Sequence, residues 1–112
     1  MSGVRGEAPG VYTILWEFRV PSKRRGEFEQ AYAADGPWAD LFTRADGFSG
    51  VQLLRCTEQD GRYLTVDRWR CRTDFLAFQR DSSAEYSALD RRLAGMAEVE
   101  TRIGAFDDLA GS

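Results

Sequence analysis

Asp67 and Trp69 stand two residues apart in the run RYLTVDRWRC over 62–71, a spacing that puts both side chains on one face of a strand. Burial beside an indole pushes a carboxyl toward its neutral form, and so toward a general base that works near neutral pH. Tyr32 and Tyr86 supply phenols that can donate a hydrogen bond or a proton. Arg55 supplies a fixed positive charge able to stabilise an enolate. Trp16, Trp38 and Phe42 add flat apolar surface. Trp16, Tyr32, Trp38, Phe42, Trp69 and Tyr86 together suit a planar aromatic molecule, which stacks on rings and hydrogen-bonds at its polar edge. The expected roles are catalytic for Tyr32, Tyr86, Trp69, Arg55 and Asp67, and substrate-binding for Trp16, Trp38 and Phe42. Each also has an ordinary structural use. Arg55 suits a surface or interface salt bridge, Asp67 an ion pair with an arginine, and the rings plain core packing. Asp90, beside Arg91 and Arg92, reads as a solvated helix charge.

Other chemistries lack their side chains. The 112 residues include no histidine and no asparagine. Without imidazole, zinc hydrolysis, haem ligation through His and Ser-His or Cys-His nucleophilic catalysis lose their usual group. No cofactor and no metal are expected. The net charge is −3, and Lys23 is the only lysine. The arginines are interleaved with carboxylates rather than gathered, so no nucleic-acid footprint is expected. Lys23-Arg24-Arg25 follows no Gly-rich loop and reads as a solvated face, not a phosphate clamp. No apolar run reaches the roughly 18 residues of a membrane span. Residues 1–10, MSGVRGEAPG, lack the apolar centre of a signal peptide and read as a flexible tail. Cys56 and Cys71, without CxxC spacing, read as reduced thiols, which predicts a cytoplasmic location.

Strands and helices must carry these groups to one place. VYTILWEFRV over 11–20 reads as a strand with Tyr12, Ile14, Trp16, Phe18 and Val20 on one face. Pro21-Ser22 opens a helix with Phe28, Ala31 and Tyr32 inward. Pro37 starts a short second helix carrying Trp38, Leu41, Phe42 and Ala45. Strands are expected over 48–57 and 62–71, joined at Gln59-Asp60-Gly61. A helix over 74–80 turns Phe75 and Phe78 inward. Ser82 and Glu85 make a capping-box pattern before a longer helix with the stripe Tyr86, Leu89, Leu93 and Met96. The last strand, 98–106, is expected to set Val99, Thr101, Ile103 and Ala105 against a mostly charged face. The order β-α-β-β-α-β predicts one α+β domain over 11–107, with a short tail over 108–112. The expected fold is ferredoxin-like, a four-stranded antiparallel sheet with helices on one face.

Helices cover only one face of such a sheet. The richer face (Trp16, Phe18, Trp69, Val99 and Ile103) is expected beneath them. The other still carries Leu15, Leu64 and Val66, with Glu17, Arg19, Arg68, Glu100 and Arg102 placed to pair across or beside a contact. Apolar area left in water is unfavourable by roughly 25 cal/mol per Å². A homodimer closing sheet on sheet is the expected solution, against a monomer with one wet face.

The run LWEFRVPSKRRGEFEQAY resembles the first strand and helix opening, V-x-P-G-K-x-x-E-F, of the antibiotic biosynthesis monooxygenase family. ADGFSGVQLLR is similar to the family's P-G-F-x-G stretch leading into strand two, and YLTVDRWRCRTDFLAF to its strand that ends in Trp before S-x-x-x-F-x-x-F. The likeness runs from about Tyr12 to Phe106. It implies a dimeric α/β barrel of ferredoxin-like protomers. It also implies either cofactor-free oxidation of anthrone-type aromatic polyketides by O₂, or opening of haem. Haem-degrading members use a strand-one Asn, a strand-three Trp and a helical His. Trp69 matches the Trp, Trp16 stands at the Asn position, and the His has no counterpart. Quinone-forming members use Asn with Trp, Tyr and Arg, of which only the Asn type is missing. The resemblance thus implies a cofactor-independent monooxygenase acting on an aromatic polyketide or quinol-type molecule. The alternatives are a polyketide cyclase, a non-catalytic small-molecule-binding or accessory dimer, and a structural dimer module with a filled core.

Overall fold

The computed structural model describes residues 11–109. The tail expected over 1–10, and residues 110–112 of the tail expected over 108–112, lie outside the described residues. Four strands form one antiparallel sheet: β1 (Tyr12–Arg19), β2 (Phe48–Arg55), β3 (Arg62–Trp69) and β4 (Val99–Asp107), in the order β2-β3-β1-β4. Between them lie α1 (Arg25–Ala31, after a short 3-10 turn at Ser22–Arg24), α2 (Pro37–Phe42), α3 (Arg72–Asp81) and α4 (Ser83–Arg92). The helices cover one face only, which is the ferredoxin-like α+β arrangement expected.

Register decides which residues meet the helices. In β1, Tyr12, Ile14 and Phe18 are buried, as period-two alternation predicts. Directly paired residues point to the same side. Tyr12 pairs with Trp69, Ile14 with Asp67, Trp16 with Thr65 and Phe18 with Tyr63, so this half of β3 lies under the helices too. Trp69, Tyr63 and Phe28 are the largest side chains sealed from solvent. Two apolar clusters result. One gathers Ile14, Leu41, Phe42, Trp69 and Phe78. The other gathers Phe18, Val20, Phe28 and Tyr63. Trp16, Tyr32 and Met96 pack against both and mark the seam between them.

Two expectations are corrected. The last strand does not keep one phase. Trp16 pairs with Arg102 and Phe18 with Glu100, but Ile14 pairs with Ala105, with a register shift between Leu15 and Trp16 that leaves Ile103 unpaired. This bulge shifts the alternation by one residue. Gly104, at φ 152°, supplies the backbone freedom beside it. Glu100 and Arg102 therefore lie on the helix side. Val99 and Ile103, expected in the core, are 51% and 46% exposed. Second, the capping box does not form. Ser82 sits at φ −119°, ψ 22° with no side-chain cap. Its amide donates to Phe78 O and its carbonyl accepts from Tyr86 N, both at 2.9 Å, so α3 runs almost directly into α4. On the face away from the helices, Glu17 pairs with Arg62, and Arg68 donates to Gln52 at 2.6 Å.

The open face carries half-buried Leu15 and Leu64, buried Val66, and exposed Leu54 and Phe106. Among the described residues no helix is long and apolar enough to cross a membrane.

Candidate active site

The seam between the two clusters opens into a cavity of about 280 Å³. Its sheet side is Trp16 and Phe18 of β1, Val51 of β2, Thr65 and Asp67 of β3, and Glu100 of β4. Its roof is Tyr32 at the end of α1, Trp38 and Phe42 of α2, and Tyr86 and Asp90 of α4. Tyr86 lies 5.0 Å from Trp38 between ring centroids, Trp38 lies 5.9 Å from Phe42, and Tyr32 lies 6.2 Å from Trp38. These tilted rings pack against one another along the roof and wall the cavity.

Asp67 is half-buried on this floor. Its cross-strand neighbours are Ile14 and Val51, both aliphatic, and neither offers it a hydrogen bond. Desolvation pushes its carboxyl up to about 7. Among the described residues it has no ion pair with an arginine, its ordinary use. Among the described residues the ion pairs join Arg24–Glu27, Arg55–Glu29, Arg62–Glu17, Arg70–Asp74 and Arg80–Asp81. Burial, opposed at Tyr32 by a hydrogen bond from the Trp38 indole and reinforced at both by nearby carboxylates, pushes Tyr32 and Tyr86 up to about 12, so both phenols keep their protons at neutral pH. Asp90 and Glu100 are exposed and stand at the mouth. Burial, then Asp90, raises the Glu100 carboxyl.

Six of the eight expected site residues come together here: Trp16, Tyr32, Trp38, Phe42, Asp67 and Tyr86. Two do not. Trp69 shares a strand face with Asp67 but is sealed off, with ring centroids 5.3 Å from Phe48, 5.5 Å from Phe75 and 5.1 Å from Phe78. It supports the floor and lines no part of the cavity. Arg55 faces Tyr63 at the far end of the same sheet side, about 13 Å along the strand from the Asp67 rung. It is exposed and pairs with Glu29 at 3.2 Å, its ordinary use after all. Sequence reasoning weighed Asp90 as an acid–base group but set it aside as a solvated helix charge, and it placed Glu100 on the open sheet face. The signal for Asp90 was present, since it lies one helical turn after Tyr86. The signal for Glu100 was hidden by the β4 bulge. Among the described residues no three His, Cys, Asp or Glu side chains are grouped to hold a metal ion.

Relatives agree with this architecture. The model of the family described as "Antibiotic biosynthesis monooxygenase" matches residues 11–89. Among solved structures, a variant of SnoaB, a cofactor-independent oxygenase from Streptomyces nogalater, superposes at a TM-score of 0.71 with 23% identity over 87% of this chain and 91% of its own. A variant of MhuD with two manganese protoporphyrin IX molecules bound per active site gives 0.65 with 24% identity over 88% and 93%. A conserved protein of unknown function from Bacteroides thetaiotaomicron gives 0.65 with 12% identity over 90% and 100%. At these identities the structural likeness shows the fold. No curated protein gives a significant match.

Proposed function

Because the chain belongs to the antibiotic biosynthesis monooxygenase family, we propose that it oxidises a small phenolic aromatic molecule with O₂ and without a cofactor. The observation that carries this reading is Asp67: an unpaired carboxyl, held near pKa 7 on the floor of an aromatic-walled cavity. With an anthrone-type substrate, Asp67 takes one proton from the ring methylene. The resulting enolate reduces O₂ and forms a carbon–oxygen bond, giving a peroxide anion. The proton on Asp67 returns to that anion. Loss of the remaining ring C–H proton with cleavage of the O–O bond then leaves a ketone and one water. Each turnover consumes one O₂, and Asp67 ends as it began. Tyr32 and Tyr86 donate hydrogen bonds to the enolate oxygen, a role open only to phenols that stay protonated.

Haem does not fit this cavity. The chain has no imidazole, and three carboxylates among the lining residues would repel the propionates.

An oxygen-electrode screen over anthrones, naphthols and quinols, with a chelator present, tests the reading. Stoichiometric O₂ uptake supports it. Tyr32→Phe and Tyr86→Phe are each expected to lower kcat on the order of 10²-fold, as loss of one oxyanion donor does. Tight binding of these compounds with no uptake would instead favour a binding or accessory protein.

The same reading pairs two chains through the open sheet face, where Leu54 is 43% and Phe106 47% exposed beside Leu15 and Leu64. Leu54→Asp combined with Phe106→Asp is expected to turn a dimer into a folded monomer by sedimentation, with circular dichroism unchanged. A wild-type monomer at high concentration would count against the pairing. Cys56 and Cys71 are free thiols, which supports a reducing, cytoplasmic location.

A further inference from the structure

The cavity's charge is one-sided. Its charged lining residues are Asp67, Asp90 and Glu100, with no Lys or Arg among them. None of the three takes part in an ion pair among the described residues. A second feature lies in the walls. The same cavity is lined by the rings of Trp16, Tyr32, Trp38, Phe42 and Tyr86, which offer aromatic surface to a bound molecule.

We propose that this cavity takes a planar aromatic ligand carrying a cation, a protonated amine or quaternary ammonium, with the cation at the mouth between Asp90 and Glu100. The proposal rests on the aromatic-ligand reading above and narrows it to one charge class. Two independent properties of the lining favour a cation. The carboxylates at the mouth attract it, and the aromatic rings of Trp16, Tyr32, Trp38 and Tyr86 line the space where cation–π attraction acts. A carboxylate-bearing ligand would meet only like charge. The same logic bears on turnover. Arg55 does not reach the cavity, and among the described residues no Lys or Arg lines it to offset the negative charge that develops on an enolate. The ligand's own ammonium supplies that positive charge. The two tyrosines register the local field, since nearby carboxylates add to the upward displacement of both phenols.

A matched trio tests this: naphthylmethylamine, naphthalenemethanol and naphthoate, titrated against the full-length protein by tryptophan fluorescence and calorimetry. The amine is expected to bind at least about 10-fold more tightly than the alcohol, and naphthoate more weakly than either. Asp90→Asn combined with Glu100→Gln is expected to lower the amine's affinity about 10-fold more than the alcohol's. Both positions are exposed, so the fold tolerates the change. Asp60→Asn, in the β2–β3 turn, controls for net charge and should alter neither. Equal affinity for all three probes, or a preference for the amine that survives the double variant, would overturn the proposal. Failure of every probe to bind would overturn it together with the aromatic-ligand reading. Amine preference without O₂ uptake from any phenol would support it and remove only the oxygenase reading.

Discussion

Asp67→Asn is expected to cut O₂ consumption by roughly 10²- to 10⁴-fold, the usual contribution of a positioned general base. The substitution preserves size and leaves Ile14 and Val51 beside it undisturbed, so the protein should remain folded. In the wild type, kcat/KM should rise with pH and level off above about 7, because the base works only once its proton has left. The asparagine variant should lose that limb. Stability moves the other way. The Asp67 carboxyl titrates near 7 in the folded chain, against an ordinary value of 3.8. Between those two values the folded state holds a proton that the unfolded state has released. This group's stabilisation is therefore complete below about pH 4 and lost as pH rises through 7. The loss has an upper bound of about 4 kcal/mol, reduced by whatever water enters the cavity. The asparagine variant escapes that loss and should gain most on the wild type at pH 8. Activity lost while stability rises is the signature of a working group held in an unfavourable place. Thermal melts and O₂ uptake at matched pH values check both halves.

Trp69→Ala should have the largest effect on stability. Trp69 has no exposed surface and touches the rings of Phe42, Phe48, Phe75 and Phe78. Removing a ring so enclosed typically costs about 3–5 kcal/mol, because the surroundings close only partly over the void. For a domain of this size that is a large share of the total. Trp69→Phe should cost much less. It keeps ring contacts and removes an indole Nε1–H that is buried without a partner, a liability of about 1–3 kcal/mol in itself. Chemical denaturation measures both. The folded fraction of Trp69→Phe should turn over at nearly the wild-type rate, because the ring lines no part of the cavity. A large kcat loss with unchanged stability would return Trp69 to the catalytic group assigned from sequence.

These two residues show what the linear chain discloses. Alternation in RYLTVDRWRC correctly put Asp67 and Trp69 on one face. It could not say that one would open on a cavity and the other be roofed by Phe75 and Phe78, because a strand period reports side and not depth. Helix spacing placed Trp38, Phe42 and Tyr86 over that face, and they stand there. Asp90 was readable from its spacing to Tyr86, but its arginine neighbours suggested solvent. The β4 bulge had only a weak signal, Gly104 inside the strand, which marks a bulge without saying which residue leaves the pairing. One unpaired residue reverses the alternation, and its position follows from where Arg19 and Val11 anchor the strand ends, through Glu98 N to Arg19 O at 2.7 Å and Asp108 N to Val11 O at 3.0 Å. That is a tertiary fact. It carried Glu100 into the cavity and Val99 out of the core.

Isotope-edited NMR of the Asp67 carboxyl carbon, titrated with and without a phenolic aromatic compound, tests the central claim most directly. A midpoint near 7 that moves when the compound is added is the expected result. A midpoint near the ordinary 3.8, indifferent to every aromatic compound offered, would show a solvated or paired carboxylate and contradict the account.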